Sequence, residues 1–171
     1  MVATDGPKKI RAFAYLSYFK GLPKLLDCLI DSHVELLIYA RDLPGALIKD
    51  YRHQVTFSET PVDLGAVFEQ ADLFINHANH GSSAQALVSG VPQLMIPKYQ
   101  EQLFLGQRVE TLNAGIIAFR DQPDFSEPVS RAIKLTQKTI TKVNWDPDQL
   151  QRELKLCFDE FESVSAKESR S

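Results

Sequence analysis

The sequence has few cysteines, little net charge and no long apolar run. Its two cysteines, Cys28 and Cys157, lie far apart in apolar helical patterns, which favours free thiols over a disulfide or a metal ligand. A formal net charge of −3, with both signs interspersed, argues against a surface that binds nucleic acid. No apolar run approaches the ~20 residues of a transmembrane helix, and the polar start, 1–9, lacks the apolar core of a signal peptide. We therefore expect a cytoplasmic protein with reduced cysteines, no membrane span and no nucleic-acid partner.

What the sequence does contain is a regular alternation of short apolar runs and helical patterns. The 171 residues are 44% hydrophobic and 24% charged, as in one soluble globular domain. Strands are predicted at 10–16, 34–39, 54–57, 73–76, 93–96 and 116–119, and helices at 22–30, 43–49, 64–70, 82–89, 101–112, 129–139 and 147–162. This order predicts an α/β fold: a Rossmann-like, doubly wound, mainly parallel sheet of about six strands with helices on both faces. We assign the domain to 10–162, a flexible start or linker to 1–9 and a polar tail to 163–171.

Ligands of such sheets bind outside the carboxyl ends of the strands, so the loops that follow the strands are the places to look. These loops are 17–21, 40–44, 58–62, 76–83 and 97–102. Because parallel strands all point the same way, the five loops are expected to converge on one edge of the sheet.

The loop from His77 to Ser83 has the features of an anion site, since it joins a strand directly to a helix. The first helical turn has unpaired N–H groups and a partial positive charge. Gly81 lets a phosphate approach the backbone, Ser82 and Ser83 can cap the helix or donate hydroxyl hydrogens, and His77 can donate an imidazole N–H. A simple capping turn with a solvated His80 fits this segment equally well.

The residues after this loop extend the pattern. The chain reads His77-Ala-Asn-His-Gly-Ser-Ser-Ala-Gln-Ala-Leu87, then Gly90-Val-Pro-Gln-Leu-Met-Ile-Pro97, Glu101-Gln102 and Leu112-Asn-Ala-Gly115. It resembles the donor-binding box of GT-B glycosyltransferases that use UDP- or TDP-sugars: His-Gly-Gly-x-Gly-Thr/Ser, a short helix, Gly-Val-Pro, a strand ending in Pro, and Asp/Glu-Gln. Order and gaps agree over about 40 residues. The α/β layout extends the likeness across nearly the whole chain, as the C-terminal domain of such an enzyme. The resemblance implies a metal-independent, inverting glycosyltransferase with a UDP- or TDP-sugar as donor and no cofactor.

The resemblance also implies roles for individual residues. Glu101 and Gln102 would bond the hydroxyls of the donor sugar, since a carboxylate accepts hydroxyl protons and an amide both donates and accepts. The alternative for this pair is an acidic first helical turn. The diphosphate would be held by His77, Gly81, Ser82 and Ser83, and the nucleoside by Pro61, Val62 and Gln85. Ser17, after the first strand, is a candidate neighbour of the phosphate or the sugar.

Two departures from the family pattern bear on this site. Ala78 and Asn79 stand where the family has two glycines. Asparagine tolerates left-handed backbone angles and alanine does so less readily, which predicts a displaced phosphate or a weak affinity. After the first strand, the family's Gly-Ser or Gly-Thr is represented by Ser17 alone, and Tyr18 narrows the space there.

Inverting transfer needs a general base for the acceptor hydroxyl, and the resembled enzymes keep it in an N-terminal domain. His33 and His53 lie beside predicted strands, where a structural or solvated role is the simpler interpretation. The catalytic residues are therefore unknown, and the base is expected outside this chain. No His/Cys cluster has metal-ligand spacing, so no metal site is expected.

Two kinds of partner and two other functions stay open. The acceptor site belongs either to an N-terminal domain of a longer enzyme or to a separate subunit, as in the split GlcNAc transferase of the dolichol pathway. Alternatively, the chain is a degenerate donor domain that acts as a protein-binding or scaffold module, and then it should lack nucleotide affinity. Another GT-B enzyme, such as a sugar-nucleotide epimerase, matches the local motif less well.

Overall fold

The computed structural model describes residues 9–138 of the chain. Within this range strands and helices alternate as β1 Arg11–Ser17, α1 Leu22–Asp31, β2 Glu35–Arg41, α2 Gly45–Tyr51, β3 Val55–Ser58, α3 Leu64–Phe68, β4 Leu73–Asn76, α4 His80–Ser89, β5 Gln93–Met95, α5 Gln100–Thr111, β6 Gly115–Ile117 and α6 Ser126–Thr136. Every predicted strand is present, with bounds that differ by two residues at most. The predicted helix at 147–162, Cys157, the start at 1–8 and the tail at 163–171 lie outside the described residues.

The six strands form one sheet in the order β3-β2-β1-β4-β5-β6, and every neighbouring pair is parallel. This confirms the doubly wound, Rossmann-like fold. The order reverses between β1 and β4, the topological switch point at which such sheets leave a crevice. The last pair between these strands joins Tyr15 to Asn76, whereas β1 continues to Ser17. The end of β1 therefore extends beyond β4 and lies beside the loop that begins at His77.

Side chains alternate across the sheet and build a core on each face. On one face, Ala12, Ala14 and Leu16 pack with α1 and α6. On the other, Phe13 stacks on Phe74 with ring centroids 5.9 Å apart, beneath α3 and α4. Burial of a leucine side chain contributes roughly 2 kcal/mol, and α1 buries one full stripe of them against the sheet. The stripe consists of Leu22, Leu25, Leu26 and Leu29.

Helix α4 begins two residues earlier than the sequence indicates, at His80 instead of Ser82. Its N-cap is Asn79, so neither Ser82 nor Ser83 caps the helix, and that part of the prediction is wrong. The helix ends at Gly90, whose φ of 72° is the left-handed conformation that stops a helix. Because α4 starts early, the loop from β4 is only three residues long, and the helix N-terminus lies close to the switch point.

Cys28 is a free thiol, as predicted. Between residues 9 and 138, no helix is long and apolar enough to span a bilayer.

Candidate functional site

The crevice between β1 and β4 contains a hydrogen-bonded pair, Ser17 and His77. The backbone N–H of Ser17 donates to His77 Nε2 at 2.9 Å, and Ser17 Oγ lies 3.0 Å from the same nitrogen. His77 Nδ1 lies 2.7 Å from the carbonyl oxygen of Ile96, just after β5. Because a backbone N–H only donates and a carbonyl only accepts, His77 is neutral, with its proton on Nδ1 and a lone pair on Nε2. The imidazole thus connects the ends of β1, β4 and β5.

The surroundings of His77 favour this neutral form. The residue is 5% exposed, and Phe19 packs against the imidazole edge-on with ring centroids 6.5 Å apart. Burial lowers the pKa of His77 below its ordinary value, and the positive charges of Lys98 and Arg120 lower it further, against the opposing effect of the Ile96 carbonyl. His77 therefore stays uncharged near neutral pH and acts as a fixed acceptor for Ser17.

The turn after β4 is built on the side chain of Asn76. Its Oδ1 accepts the backbone N–H of Ala78 and, at 3.2 Å, the hydroxyl of Ser83. Its Nδ2 donates to Gln93 Oε1 at 3.0 Å, and Gln93 Nε2 donates to the carbonyl oxygen of Ser83, also at 3.0 Å. Asn76, Ser83 and Gln93 are wholly buried, so the hydrogen bonds of this Asn76 network fix where α4 begins.

Ala78 takes the left-handed conformation in this turn, with φ of 59°. The sequence favours Asn79 for such an angle, but Asn79 is extended, with φ of −71° and ψ of 135°. The left-handed residue is therefore the alanine, at a cost of roughly 1–2 kcal/mol. The hydrogen bond from the Ala78 N–H to Asn76 offsets part of this cost, as does burial of the Ala78 side chain beside Met95 and Val109.

The first turn of α4 is left without a side-chain cap. An asparagine at the N-cap normally accepts a hydrogen bond from an N–H of the first turn. Here the Oδ1 of Asn79 accepts from Gln102 Nε2 at 2.8 Å instead, and no side-chain cap forms. The N–H groups of His80, Gly81 and Ser82 consequently have no partner within the helix. Together with the helix dipole, these three amides form a turn suited to an anion.

Of the four residues predicted to hold a diphosphate, two lie at this open turn and two lie beneath it. A Cβ placed on Gly81 would meet no other heavy atom within 4 Å. Ser82 is 9% exposed, and its hydroxyl donates to the carbonyl oxygen of Asn79 at 3.3 Å. Ser83 is wholly buried with its hydroxyl on Asn76, and His77 is held by backbone groups on both sides.

The loop after β5 brings a cation and an amide to the same crevice. Lys98 is half-buried, and its Nζ donates to Ser17 Oγ at 2.7 Å. The backbone N–H of Lys98 donates to Gln102 Oε1 at 2.7 Å. Gln102 is thus bound at both ends of its amide and connects this loop to Asn79, whereas Glu101 is exposed in the first turn of α5.

The residues predicted to contact the nucleoside lie to one side, where α3 and α4 meet. Pro61 is exposed, and Val62 packs against the apolar cluster beneath α3. Gln85 is exposed on α4, with its Nε2 3.7 Å from the position that a Cβ on Gly65 would take. Gln85 lies one helical turn after Gly81, so this group of residues adjoins the open turn on the side of α3.

Four residues at or beneath this edge did not follow from the sequence: Asn76, Gln93, Lys98 and Arg120. Two of them carried a signal, because Asn76 and Gln93 are amides in strands that are otherwise apolar, and such buried amides usually bond to each other or to the backbone. Lys98 lies in a loop that the topology marks for inspection, yet its reach to Ser17 depends on the strand order. Within the described range, no group of three or more potential ligands could hold a metal ion.

A cavity of about 540 Å³ lies between the sheet and α3, and none of the residues that form the crevice lines it. Its lining includes Arg11 and Glu35, the first residues of β1 and β2, together with Phe13, Val62 and Ala66. Ligands of doubly wound sheets bind at the carboxyl ends, so we place the functional site at the switch point and not in this cavity.

Residues 24–153 match the model of a family described as Erythromycin biosynthesis protein CIII-like, C-terminal domain. A curated relative, NDP-glycosyltransferase YjiC of Bacillus subtilis, is 32% identical over 79 residues, which are 45% of this chain and 20% of the relative. The match thus covers a fifth of that protein's length.

Solved structures agree with the fold. The glycotransferase of kitacinnamycin superposes with a TM-score of 0.65 at 18% identity, covering 81% of this chain and 39% of that one. The glycosyltransferase VinC in complex with DTDP gives a TM-score of 0.58 at 15% identity, covering 78% of this chain and 38% of that one. In each case the described fold corresponds to less than half of the neighbouring protein.

Proposed function

Because the chain belongs to the family of EryCIII-like C-terminal domains, we propose that it binds the nucleotide-sugar donor of a glycosyltransferase, with a UDP- or TDP-sugar as substrate. The observation that carries the proposal is the uncapped first turn of α4 at the switch point. A diphosphate needs several converging N–H groups, and this turn provides three of them next to Ser17. The names of the relatives support the choice of ligand, since one is an NDP-glycosyltransferase and one was solved with DTDP.

The diphosphate, in this proposal, lies over Gly81. The missing Cβ leaves room for a phosphate against the backbone. Ser82 can turn its hydroxyl from the long bond with Asn79 to a phosphate oxygen. Ser83 is not a ligand, because its side chain is buried in the Asn76 network.

His77 acts through Ser17 and not by donating to the diphosphate. Direct donation needs a proton on Nε2, but that nitrogen accepts the N–H of Ser17 and the lowered pKa of His77 opposes a second proton. We therefore propose a positioning role, in which His77 fixes the end of β1 so that Ser17 Oγ stays at the crevice.

The sugar and the nucleoside extend to opposite sides of the diphosphate in this proposal. Glu101 is exposed and can accept sugar hydroxyl protons, while Gln102 holds the two loops together through both ends of its amide. Pro61, Val62 and Gln85 form the nucleoside side, near the start of α3.

Transfer of the sugar requires groups beyond these residues. We propose an inverting reaction in which the amides of α4 stabilise the diphosphate as it leaves. The base that deprotonates the acceptor comes from an acceptor-binding domain or subunit. Helix amides replace a metal in this scheme. A pair of aspartates can bind a divalent cation, and the one Asp-x-Asp triplet of the sequence, Asp146-Pro147-Asp148, lies outside the described residues. Nucleotide affinity should therefore be measured in Mg²⁺ and in EDTA. The proposal predicts the same affinity in both.

The direct test is calorimetric titration of the chain with UDP and with TDP, in parallel with two glycine variants. Gly81→Ala places a methyl group where the diphosphate would lie and should weaken binding at least tenfold, a loss of roughly 1.4 kcal/mol. Gly45→Ala is the matched control, because Gly45 also begins a helix and also has open space at its Cβ position. Neither variant should lose stability, since alanine is the better helix former. No binding of either nucleotide at millimolar concentration, or equal binding by Gly81→Ala, contradicts the proposal.

One observation favours a second function, a protein-binding module. Tyr18, Tyr99 and Phe119 follow β1, β5 and β6 and are 44%, 62% and 58% exposed, so aromatic surface surrounds the crevice. An acceptor domain or a partner subunit would cover such surface in either function. The scaffold function predicts binding of a protein partner that is unaffected by Gly81→Ala, together with no nucleotide affinity.

A further inference from the structure

Lys98 stands out at the switch point because its side chain crosses the end of β4. It follows β5, yet its Nζ lies 2.7 Å from Ser17 Oγ at the end of β1. We propose that Lys98 is a ligand of the donor diphosphate and neutralises part of its charge. This inference rests on the proposed function and assigns to that site a cation that the likeness to known donor boxes does not supply.

The hydrogen bonds around Ser17 have one consistent direction. His77 Nε2 accepts from Ser17, so the Ser17 hydroxyl can direct its proton to that nitrogen and keep a lone pair for Lys98. An ammonium has three N–H donors, and Ser17 takes one of them. Lys98 is therefore held in place by Ser17 with donors left over for a ligand.

The position of the Lys98 backbone is fixed as well. Its N–H donates to Gln102 Oε1, and Gln102 Nε2 donates to Asn79 at the N-cap of α4. The same amide thus positions Lys98 and removes the cap from the first turn of α4. This arrangement couples the cation to the three open amides, since both depend on Gln102.

Lys98 has no counter-charge among the described residues. The ion pairs found between residues 9 and 138 join Arg131 to Glu110 and to Glu127. The charge of Lys98 is therefore available to an anionic ligand, which would form charge-assisted hydrogen bonds with the ammonium. Arg120 adds positive charge, because it acts with Lys98 to lower the pKa of His77. Two positive charges, those of Lys98 and Arg120, therefore act at the crevice, although the chain has a net charge of −3.

Several donors in and after the loop that follows β4 already form hydrogen bonds within the protein, so they are not available to a diphosphate and a lysine can supply the missing donor. The Ala78 amide is bound by Asn76, the Ser83 hydroxyl is bound by the same side chain, and His77 Nδ1 is bound by Ile96. A diphosphate at the switch point would meet the amides of α4 on one side and the Lys98 ammonium on the other.

The test compares Lys98→Gln, Lys98→Arg and the matched control Lys134→Gln, which removes an exposed charge from the last turn of α6. Each protein is titrated with UDP, TDP and inorganic pyrophosphate at low and at high NaCl. Lys98→Gln should weaken binding of the diphosphates roughly tenfold to a hundredfold and flatten the salt dependence. Lys98→Arg should restore most of the affinity, and Lys134→Gln should match the wild type. Melting temperatures show that each variant is folded, and they should change little, because Lys98 forms no ion pair with the described residues and its substitution removes mainly the hydrogen bond to Ser17.

The outcomes separate the two proposals. Equal nucleotide affinity and equal salt dependence in the wild type and in folded Lys98→Gln overturn the role of Lys98 and leave the proposed function intact. Pyrophosphate binding that depends on Lys98, in a chain that binds neither UDP nor TDP, supports the anion site and overturns the nucleotide-sugar function. No binding of any of the three ligands overturns both.

Discussion

The two edges of the sheet differ in what a ligand would meet there, enclosed volume at the amino edge and hydrogen-bond donors at the carboxyl edge. The amino edge has volume, a cavity of about 540 Å³ between the sheet and α3 with Phe13 and Ala66 in its walls. The carboxyl edge has donors: three helix amides beginning at His80, the ammonium of Lys98 and the hydroxyl of Ser17. Anions are bound by hydrogen-bond donors, and in our proposal an acceptor-binding domain or subunit would close the site from the other side. Chemistry and topology, and not volume, therefore locate the site in this fold.

The largest change in stability should come from Asn76→Ala, which removes the hydrogen bonds that hold the turn at the carboxyl edge and leaves the amino edge unchanged. It leaves the Ala78 N–H and Gln93 Oε1 buried without their partner, at roughly 1–3 kcal/mol for each group. We expect the free energy of unfolding in urea to fall by about 3 kcal/mol. Ser83→Ala is the graded control and should cost about 1 kcal/mol, because the Ala78 bond to Asn76 stays. Equal losses in the two variants would contradict the Asn76 network.

Substitution of Ala78 should cause the next largest change in the free energy of unfolding. Ala78→Val puts a β-branched side chain at a φ of 59° in a buried position and should cost more than about 2 kcal/mol. Ala78→Gly should change stability by less than about 0.5 kcal/mol, because relief of the left-handed angle is offset by the lost methyl burial and by backbone entropy. Urea denaturation measures both. A gain of more than about 1 kcal/mol for Ala78→Gly would show that the Asn76 bond does not offset the strain at this turn.

Protonation of His77 should have a smaller effect on the free energy of unfolding, and this effect depends on pH. Its folded-state pKa is lowered by burial, so the unfolded chain binds the proton more readily. The contribution of neutral His77 is complete above pH ~6.5, the value of the unfolded chain, and is lost progressively as the pH falls from there to the lowered folded-state pKa. The free energy of unfolding should thus decrease from pH 7.5 to 5.5, and His77→Gln should reduce this decrease. An identical decrease in both proteins would mean that His77 is not the group that titrates.

The smallest effect should come from the amino edge. Ala71→Leu introduces a larger side chain into the cavity just before β4, away from the proposed nucleoside contacts, and should leave the affinity for UDP and TDP unchanged in calorimetric titration. Gly81→Ala, at the carboxyl edge, should weaken the same affinity. Weaker nucleotide binding by Ala71→Leu would place the ligand in the cavity and reverse the assignment.

The sequence predicts the fold well because its signal is local and repeated. Mainly apolar runs such as 73–76 and 93–96 are only four residues long and alternate with helical patterns, which is typical of buried parallel strands, and the helical leucines of 22–30 occur at a clear spacing. Right-handed crossovers then favour a doubly wound sheet, whereas the strand order itself comes from the structure. The edge that carries the site is predicted for the same reason.

The detail of the site could not be predicted, because it depends on small shifts that only tertiary contacts decide. A helix turns about 100° per residue, so the start of α4 at His80 determines that Ser82 keeps 9% of its surface exposed whereas Ser83 is wholly buried. That start depends on Asn76 bonding to Gln93, a contact between strands that are neighbours only in the sheet. The tautomer of His77 depends in the same way on Ser17, sixty residues earlier in the chain.

The central claim, that the uncapped turn of α4 binds the diphosphate of a nucleotide donor, is tested most directly by amide chemical shifts. The isotopically labelled chain would be titrated with UDP and with TDP. The largest shifts are predicted at the amides of His80, Gly81 and Ser82, with little change at Arg11 and Glu35, which line the cavity at the amino ends of β1 and β2. Largest shifts at those two residues, or no shift at the turn of α4 with millimolar nucleotide, would contradict the claim.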